Sequence, residues 1–303
     1  MADLELGPLR FGIVGAGRLG RVIGRALQAR DFSLVAATSA TQVGRDGAAH
    51  ALQVPVFDDP LLATVDVDVV LICAPDDAIA EVAARLAERA PSTTPYRLRV
   101  VHTSGCVSLE ALEPLRAAGH DVLSMHPLQT ITAASGAGAG ELTGAAAAIT
   151  AHDEATRTFG HALAHALNMH PFDLADEARP IYHAASAVAA NFTVTMQAMV
   201  RDFAASAGLH EGMARNAFCA LARSAIDRVE HEGPEAALTG PIARGDQATI
   251  AAHLAAIDDV APQHSATYRA LVHATVQLAV SSGRLPIDRA ASMDQLVTAG
   301  DPS

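Results

Sequence analysis

The chain has 303 residues, half of them apolar and 18% charged, with a formal net charge of −12. That balance predicts a globular protein of one large or two smaller domains, and its acidity excludes nucleic acid and anionic membranes as partners. No apolar run reaches the roughly 20 residues that span a bilayer. The sequence contains no lysine, so all 21 basic residues are arginine and no lysine acid, base or Schiff base can operate. The start, MADLELGPLRFGIVGAG, runs from acidic residues straight into a strand pattern, which predicts no signal peptide and a cytoplasmic protein. Cys73, Cys106 and Cys219 lie far apart without C-x-x-C spacing, the pattern of reduced thiols rather than of a disulfide framework or a zinc site.

Taken in chain order, LRFGIVG reads as a strand, RLGRVIGRALQAR as a helix and SLVAATS as a second strand. DVDVVLICAP (strand), DDAIAEVAARLAERA (helix), RLRVVHTS and DVLSMHP (strands) follow, and then AAAAIT and PFDLAD as strands around a helix near 153–169. Strands alternating with helices predict an α/β fold, a doubly wound and mostly parallel Rossmann sheet. From Asp176 onward the pattern is Ala-rich and helical, so the expected division is a nucleotide-binding domain over 1–176 and an all-helical domain over 177–303. The Gly/Ala-rich segment ASGAGAGELTGAAAA is expected to be a mobile loop, and the last ten or so residues a frayed tail.

Gly15-Ala16-Gly17-Arg18-Leu19-Gly20 lies between the first strand and the first helix. In such a G-x-G-x-x-G loop the first glycine permits a tight turn and the second lets the backbone approach a pyrophosphate. The third allows close helix–strand packing, and the helix N-terminus offers free N–H groups to the anion. A dinucleotide site is therefore expected. An NAD site usually carries an acid at the end of the second strand, but AATSATQVGR has Thr38, Ser39, Thr41 and Arg45 and no acid before Asp46. Hydroxyls beside an arginine suit a 2′-phosphate, which favours NADP (NADPH) over NAD.

Ligands of open α/β sheets sit beyond the carboxyl ends of the strands. Three strands end there in polar clusters: Pro75-Asp76-Asp77, His102-Thr103-Ser104, and His126-Pro127 with Gln129 and Thr130. Pro75 joins the cofactor-side candidates. Asp76 and Asp77 are expected to cap the following helix, and Thr103 and Ser104 can serve simply to shape a turn. His126, held in extended backbone by the following proline, is the catalytic candidate of this edge. His161 and His165 have metal-ligand spacing without a supporting cluster, so no metal is expected.

In the helical half, YHAASAVAAN places Tyr182, His183 and Asn191 among alanines. On an ideal helix His183 and Asn191 lie about 80° apart and can face one cleft. In LTGPIARGD, Gly240, Pro241 and Gly245 are expected to prevent a regular helix and Asp246 to cap the next one. Arg244 there either grips a substrate carboxylate or pairs with Asp246.

The motifs GIVGAGRLG, APDDAI, HTSG, SMHPLQT, YHAASAVAAN and LTGPIARGD, in this order, resemble the Rossmann-like oxidoreductases whose C-terminal half is domain of unknown function 2520. The resemblance implies an NAD(P)-binding domain and a helical domain like that of 6-phosphogluconate dehydrogenase, in a class that includes alternative ketopantoate reductases. It also implies a homodimer formed through the helical domain. The catalytic lysine of β-hydroxyacid dehydrogenases is missing, and SMHPLQT is similar to the His-Pro segment of prephenate dehydrogenases. Proton delivery therefore falls to His126 or His183.

The expected function is NADPH-dependent reduction of a small 2-oxo acid or related carbonyl, with ketopantoate as the leading substrate. His126, His183 and Asn191 are the catalytic candidates, and Arg244, Ser104 and Tyr182 the substrate-side ones. The alternatives are a prephenate-type dehydrogenase and an NADP-binding sensor or scaffold without turnover.

Overall fold

The computed structural model describes residues 6–89, 97–132, 138 and 140–298. Contacts divide the chain into a unit of residues 1–190 and a unit of residues 191–303. The first unit opens with β1 (Arg10–Val14), α1 (Arg18–Gln28), β2 (Ser33–Thr38), α2 (Gln42–Leu52) and β3 (Val56–Phe57). It continues through β4 (Val69–Ile72), α3 (Ile79–Arg89), β5 (Arg99–His102), α4 (Glu113–Ala117) and β6 (Asp121–Leu128). It ends with β7 (Ala146–Ala151), α5 (Glu154–Ala166), β8 (His170–Asp173) and α6 (Arg179–Ala187).

The eight strands form one sheet in the order β3-β2-β1-β4-β5-β6-β7-β8. Pairing is parallel from β3 to β6; β7 runs antiparallel to β6, and β8 parallel to β7. The mostly parallel Rossmann sheet is therefore as expected. Its order reverses between β1 and β4, the switch point at which such sheets bind ligands.

Alternation along the strands splits the core in two. Phe11, Ile13, Leu71, Val101, Leu123 and Met125 pack with Val22, Ile23 and Leu27 of α1 and with Phe159 and Leu163 of α5. Val14, Val70, Ile72, Val100 and Val122 face the other way and pack with Ile79, Ala83 and Leu86 of α3. Gly12 has no Cβ for a close reason: one would lie 1.8 Å from the Ala63 carbonyl oxygen in the turn after β3. Main chain cannot yield there without disturbing the sheet. Gly12→Ala is expected to cost about 3 kcal/mol or more and to lower the thermal midpoint by about 10 °C, read by a melt followed by circular dichroism.

Several local expectations need correction. Pro75, without a side-chain cap bond, precedes a 3-10 turn, Asp76–Ala78, that leads into α3; Asp76 and Asp77 lie in that turn, where their charge favours the positive helix end. Residues 294–298 of the expected tail belong to a helix, Ile287–Thr298; 299–303 lie outside the described residues, as do 1–5 and the 133–137 and 139 portion of the Gly/Ala-rich segment.

The second unit holds α7 (Thr193–Ser206), α8 (Glu211–Glu232), α9 (Pro234–Ala237), α10 (Pro241–Arg244), α11 (Gln247–Val260), α12 (Ser265–Ser281) and α13 (Ile287–Thr298). Ile250, Leu254, Val272, Val276 and Met293 centre its core. LTGPIARGD was expected to be irregular but contains α10, bounded by Gly240 (φ 99°) and by left-handed Gly245 (φ 71°). The two units join in sequence within a π-helical turn, Val188–Phe192. The angle between His183 and Asn191 worked out for an ideal helix therefore does not apply, because a π turn holds more residues than an α turn. Among the described residues no helix is long and apolar enough to cross a membrane.

Candidate active site

The glycine loop is built by its surroundings. Gly15 takes φ +91°, and a Cβ on it would lie 2.8 Å from the Ala74 nitrogen. A Cβ on Gly20 would lie 2.5 Å from the Gly15 carbonyl, so the helix closes on the strand only with glycine there. The Gly15 and Ala16 N–H groups donate to the Thr38 carbonyl at 3.2 and 2.7 Å, tying the loop to the end of β2. Gly17 differs: nothing lies within 4 Å of the position a Cβ would take, and it precedes α1 without any side-chain cap. The loop thus leaves open the face on which a pyrophosphate would rest, with Ala16, Arg18 and Leu19 around it, and the residues present fit a dinucleotide.

Beyond the end of β2, Arg45 in the first turn of α2 is anchored rather than free. Its Nη1 donates to the Ser39 and Ala40 carbonyls at 3.0 and 3.1 Å, and its Nη2 to Gln42 Oε1 at 2.8 Å. Its Nε–H and one Nη2 hydrogen remain for an anion, so the fixed positive charge fits the 2′-phosphate expectation.

A second cluster forms where β5, β6 and α6 meet. The His126 and His183 rings stand edge to face with centroids 6.1 Å apart. His126 Nδ1 is 2.8 Å from the Tyr182 hydroxyl, so Tyr182, expected on the substrate side, pairs first with His126. Gly105 is the surface on which both rings rest. A Cβ there would lie 2.8 Å from His183 Cδ2 and 2.9 Å from His126 Cε1 and Nε2. Tyr182 is steadied in turn by the Phe172 ring, centroids 6.0 Å apart.

Burial pushes the His126 imidazole down to about 4; positive charge on His183 and Arg179 adds to this, and Asp76 opposes it. His126 is therefore neutral at neutral pH. Burial also raises the Tyr182 hydroxyl, which stays protonated.

Ser104 shapes a turn, one of the two places expected for it. It is buried, and its Oγ accepts the Cys106 and Val107 N–H groups at 3.1 and 3.0 Å, shaping the turn that presents Gly105. His102 is fully buried at the end of β5, and among the described residues no group bonds either ring nitrogen. Burial pushes it down to about 3, with the Arg179 charge second and His126 third.

Arg179 went unnoticed in the sequence, where only Asp176 three residues earlier hinted at a charge pair. Its side chain is 0% exposed. Nε donates to the Val107 carbonyl at 2.6 Å, Nη1 to Thr150 Oγ1 at 2.9 Å and Nη2 to the Ser104 carbonyl. His161, of the metal-spaced pair, lies 2.6 Å from Asp173.

In the second unit Asn191 is exposed and Arg244, also exposed, ends α10. Asp246 caps α11, accepting the Thr249 N–H and Oγ1 at 3.1 and 2.7 Å. Among the described residues no ion pair joins it to Arg244, whose charge nevertheless helps hold the Asp246 carboxyl low, after the two Thr249 bonds.

The family model of a Rossmann-like domain matches residues 1–127, and that of DUF2520, a domain of unknown function, matches residues 145–275. No curated protein matches the sequence. Among solved structures, an inferred NADP oxidoreductase from Bacteroides fragilis is similar with a TM-score of 0.73 and 22% identity, over 88% of this chain and 97% of that one. A Thermotoga maritima protein is similar with a TM-score of 0.64 and 21% identity, over 89% and 98%. The Plasmodium falciparum pyrroline carboxylate reductase with NADP bound has a TM-score of 0.59 and 8% identity, over 94% and 98%. At these identities the likeness is one of fold.

Proposed function

We propose that this chain, a Rossmann-like domain followed by a DUF2520 domain, is an NADPH-dependent oxidoreductase that reduces the carbonyl of a small 2-oxo acid, with ketopantoate as the first candidate. The observation that carries the proposal is the pair of imidazoles seated on Gly105, at the same sheet edge as the glycine loop. NADPH, held by Gly15–Gly20 with Ser39, Arg45 and Pro75 beside it, would supply the hydride. Its similarity in fold to an inferred NADP oxidoreductase supports that cofactor.

The proton comes from the chain itself. Burial holds His126 neutral, so the proton that reaches the substrate oxygen is assigned to His183, the other imidazole seated on Gly105, as a general acid. Tyr182 donates to His126 Nδ1, which leaves Nε2–H as a fixed hydrogen-bond donor. Asn191 and Arg244 keep their sequence-based candidacy for orienting the substrate and for its carboxylate; within its own unit Arg244 is a cation presented at the end of a short helix between two glycines.

The test is NADPH consumption by the purified protein with ketopantoate and a panel of other 2-oxo acids. Arg244→Ala is expected to raise KM about 10-fold at nearly constant kcat, the loss of one charge-assisted contact. Cofactor binding without turnover on any carbonyl would favour an NADP-binding sensor instead.

A homodimer belongs to the same proposal. Helix α8 has 22 residues but buries only Ala214. Met213, Leu221, Ile226 and Val229 remain exposed on it, apolar surface that a second copy would cover. Light scattering on the full chain reads the mass directly.

A further inference from the structure

Burying a guanidinium is expensive, and a single carboxylate usually compensates it. Among the described residues no carboxylate lies within hydrogen-bond distance of Arg179. Asp176 lies 3.9 Å from Nε, and its carboxylate oxygens instead accept the Leu109 N–H at 3.0 and 3.2 Å. The three bonds of Arg179 go to neutral oxygens, and two of these, the Ser104 and Val107 carbonyls, lie on either side of Gly105. The third, Thr150 Oγ1, itself donates to the Leu174 carbonyl at 2.8 Å, so the cation also ties β7 to the chain entering α6.

Followed around, these contacts close a ring. Arg179 holds the 104–107 turn, and the turn presents Gly105 to the two imidazoles with no space for a methyl group. His126 bonds Tyr182, and Tyr182 and His183 stand on α6, the helix that begins with Arg179. A shift of a few tenths of an ångström at the turn must therefore move both rings.

We propose that Arg179 is a positioning residue: its guanidinium locks the Ser104–Val107 turn against α6 and thereby fixes the spacing of His126 and His183. This deepens the oxidoreductase reading and rests on it for the consequence in catalysis, but not for the geometry. The groups facing His126 are His183, Tyr182 and Arg179 from α6, Asp76 after β4, and His102 at the end of β5. Loss of Arg179 removes one of the two charges that oppose its protonation and loosens the packing that desolvates it. Both changes act in the same direction.

The test reads histidine titrations by NMR, with no need of turnover, in the full-length wild type, Arg179→Met and Arg179→Lys. In Arg179→Met the His126 midpoint is expected to rise by about one pH unit or more, and the Tyr182 contact to broaden. Arg179→Lys keeps the charge but cannot span three oxygens. It is expected to restore part of the midpoint while the Tyr182 contact stays broadened. NADPH affinity should stay within about twofold in both, because the glycine loop is untouched. If either folded variant leaves the His126 midpoint and the Tyr182 contact unchanged, the positioning role is overturned and Arg179 is only a brace. Should Arg179→Met not fold, Arg179→Lys decides by the same two readouts. A wild type without turnover on any carbonyl would defeat the oxidoreductase reading and leave this result standing.

Discussion

Replacing His183 by glutamine is expected to lower kcat for carbonyl reduction by about 100- to 10,000-fold, the usual contribution of a positioned general acid, with NADPH binding unchanged. Glutamine keeps a hydrogen-bonding group near the same place but has no proton to give at neutral pH. His126→Asn should cost far less, about 10-fold. His126 is neutral because of its burial and its cationic neighbours, so its part is to hold a hydrogen bond rather than to move a proton. Steady-state kinetics of both variants, with cofactor binding followed separately by fluorescence, decide the assignment. If His126→Asn suffers the larger loss in kcat, the two roles are reversed.

The contrast between these histidines shows what the sequence could carry. The glycine loop was legible because each glycine answers a local demand: φ +91° at Gly15, open space at Gly17 and a carbonyl at 2.5 Å from the place of a Gly20 Cβ. His126 and His183 were legible as candidates from a strand end and a helix start. The neutral state of His126 was not, since it depends on burial and on Arg179 and Asp76, which lie 53 and 50 positions from it in the chain.

Arg179 itself was illegible for a related reason. Its acceptors Ser104, Val107 and Thr150 are 75, 72 and 29 residues away, and nothing in DEARPIYH announces them. The turn-shaping role of Ser104 was legible by contrast, since backbone N–H groups two and three residues on are local partners for its hydroxyl. The π-helical turn at Val188–Phe192 could not be read at all, because an Ala-rich stretch looks equally regular in either helix.

Acid should weaken this protein through His102, and removing that ring should strengthen it. The unfolded imidazole takes up a proton near 6.5, whereas the folded one resists until about 3. The folded pKa is the lower of the two, so the stability tied to it is fully present above 6.5. It is lost as pH falls from 6.5 toward 3, at roughly 1.4 kcal/mol per pH unit. His126, held at about 4, adds a similar slope over a shorter window.

His102→Leu isolates the first contribution. Among the described residues no group bonds either His102 nitrogen, so leucine of similar volume sacrifices no hydrogen bond to them and removes two buried polar atoms. At pH 7 the variant is expected to gain about 1–3 kcal/mol. Urea melts at pH 7 and pH 5 should show the parent losing roughly 2 kcal/mol more than the variant over that interval. A variant less stable than the parent at pH 7, with the same acid slope, would mean that the ring is held by bonds it does not make in this structure. Stability gained at no cost to NADPH binding would instead show that the cofactor site does not depend on this buried ring.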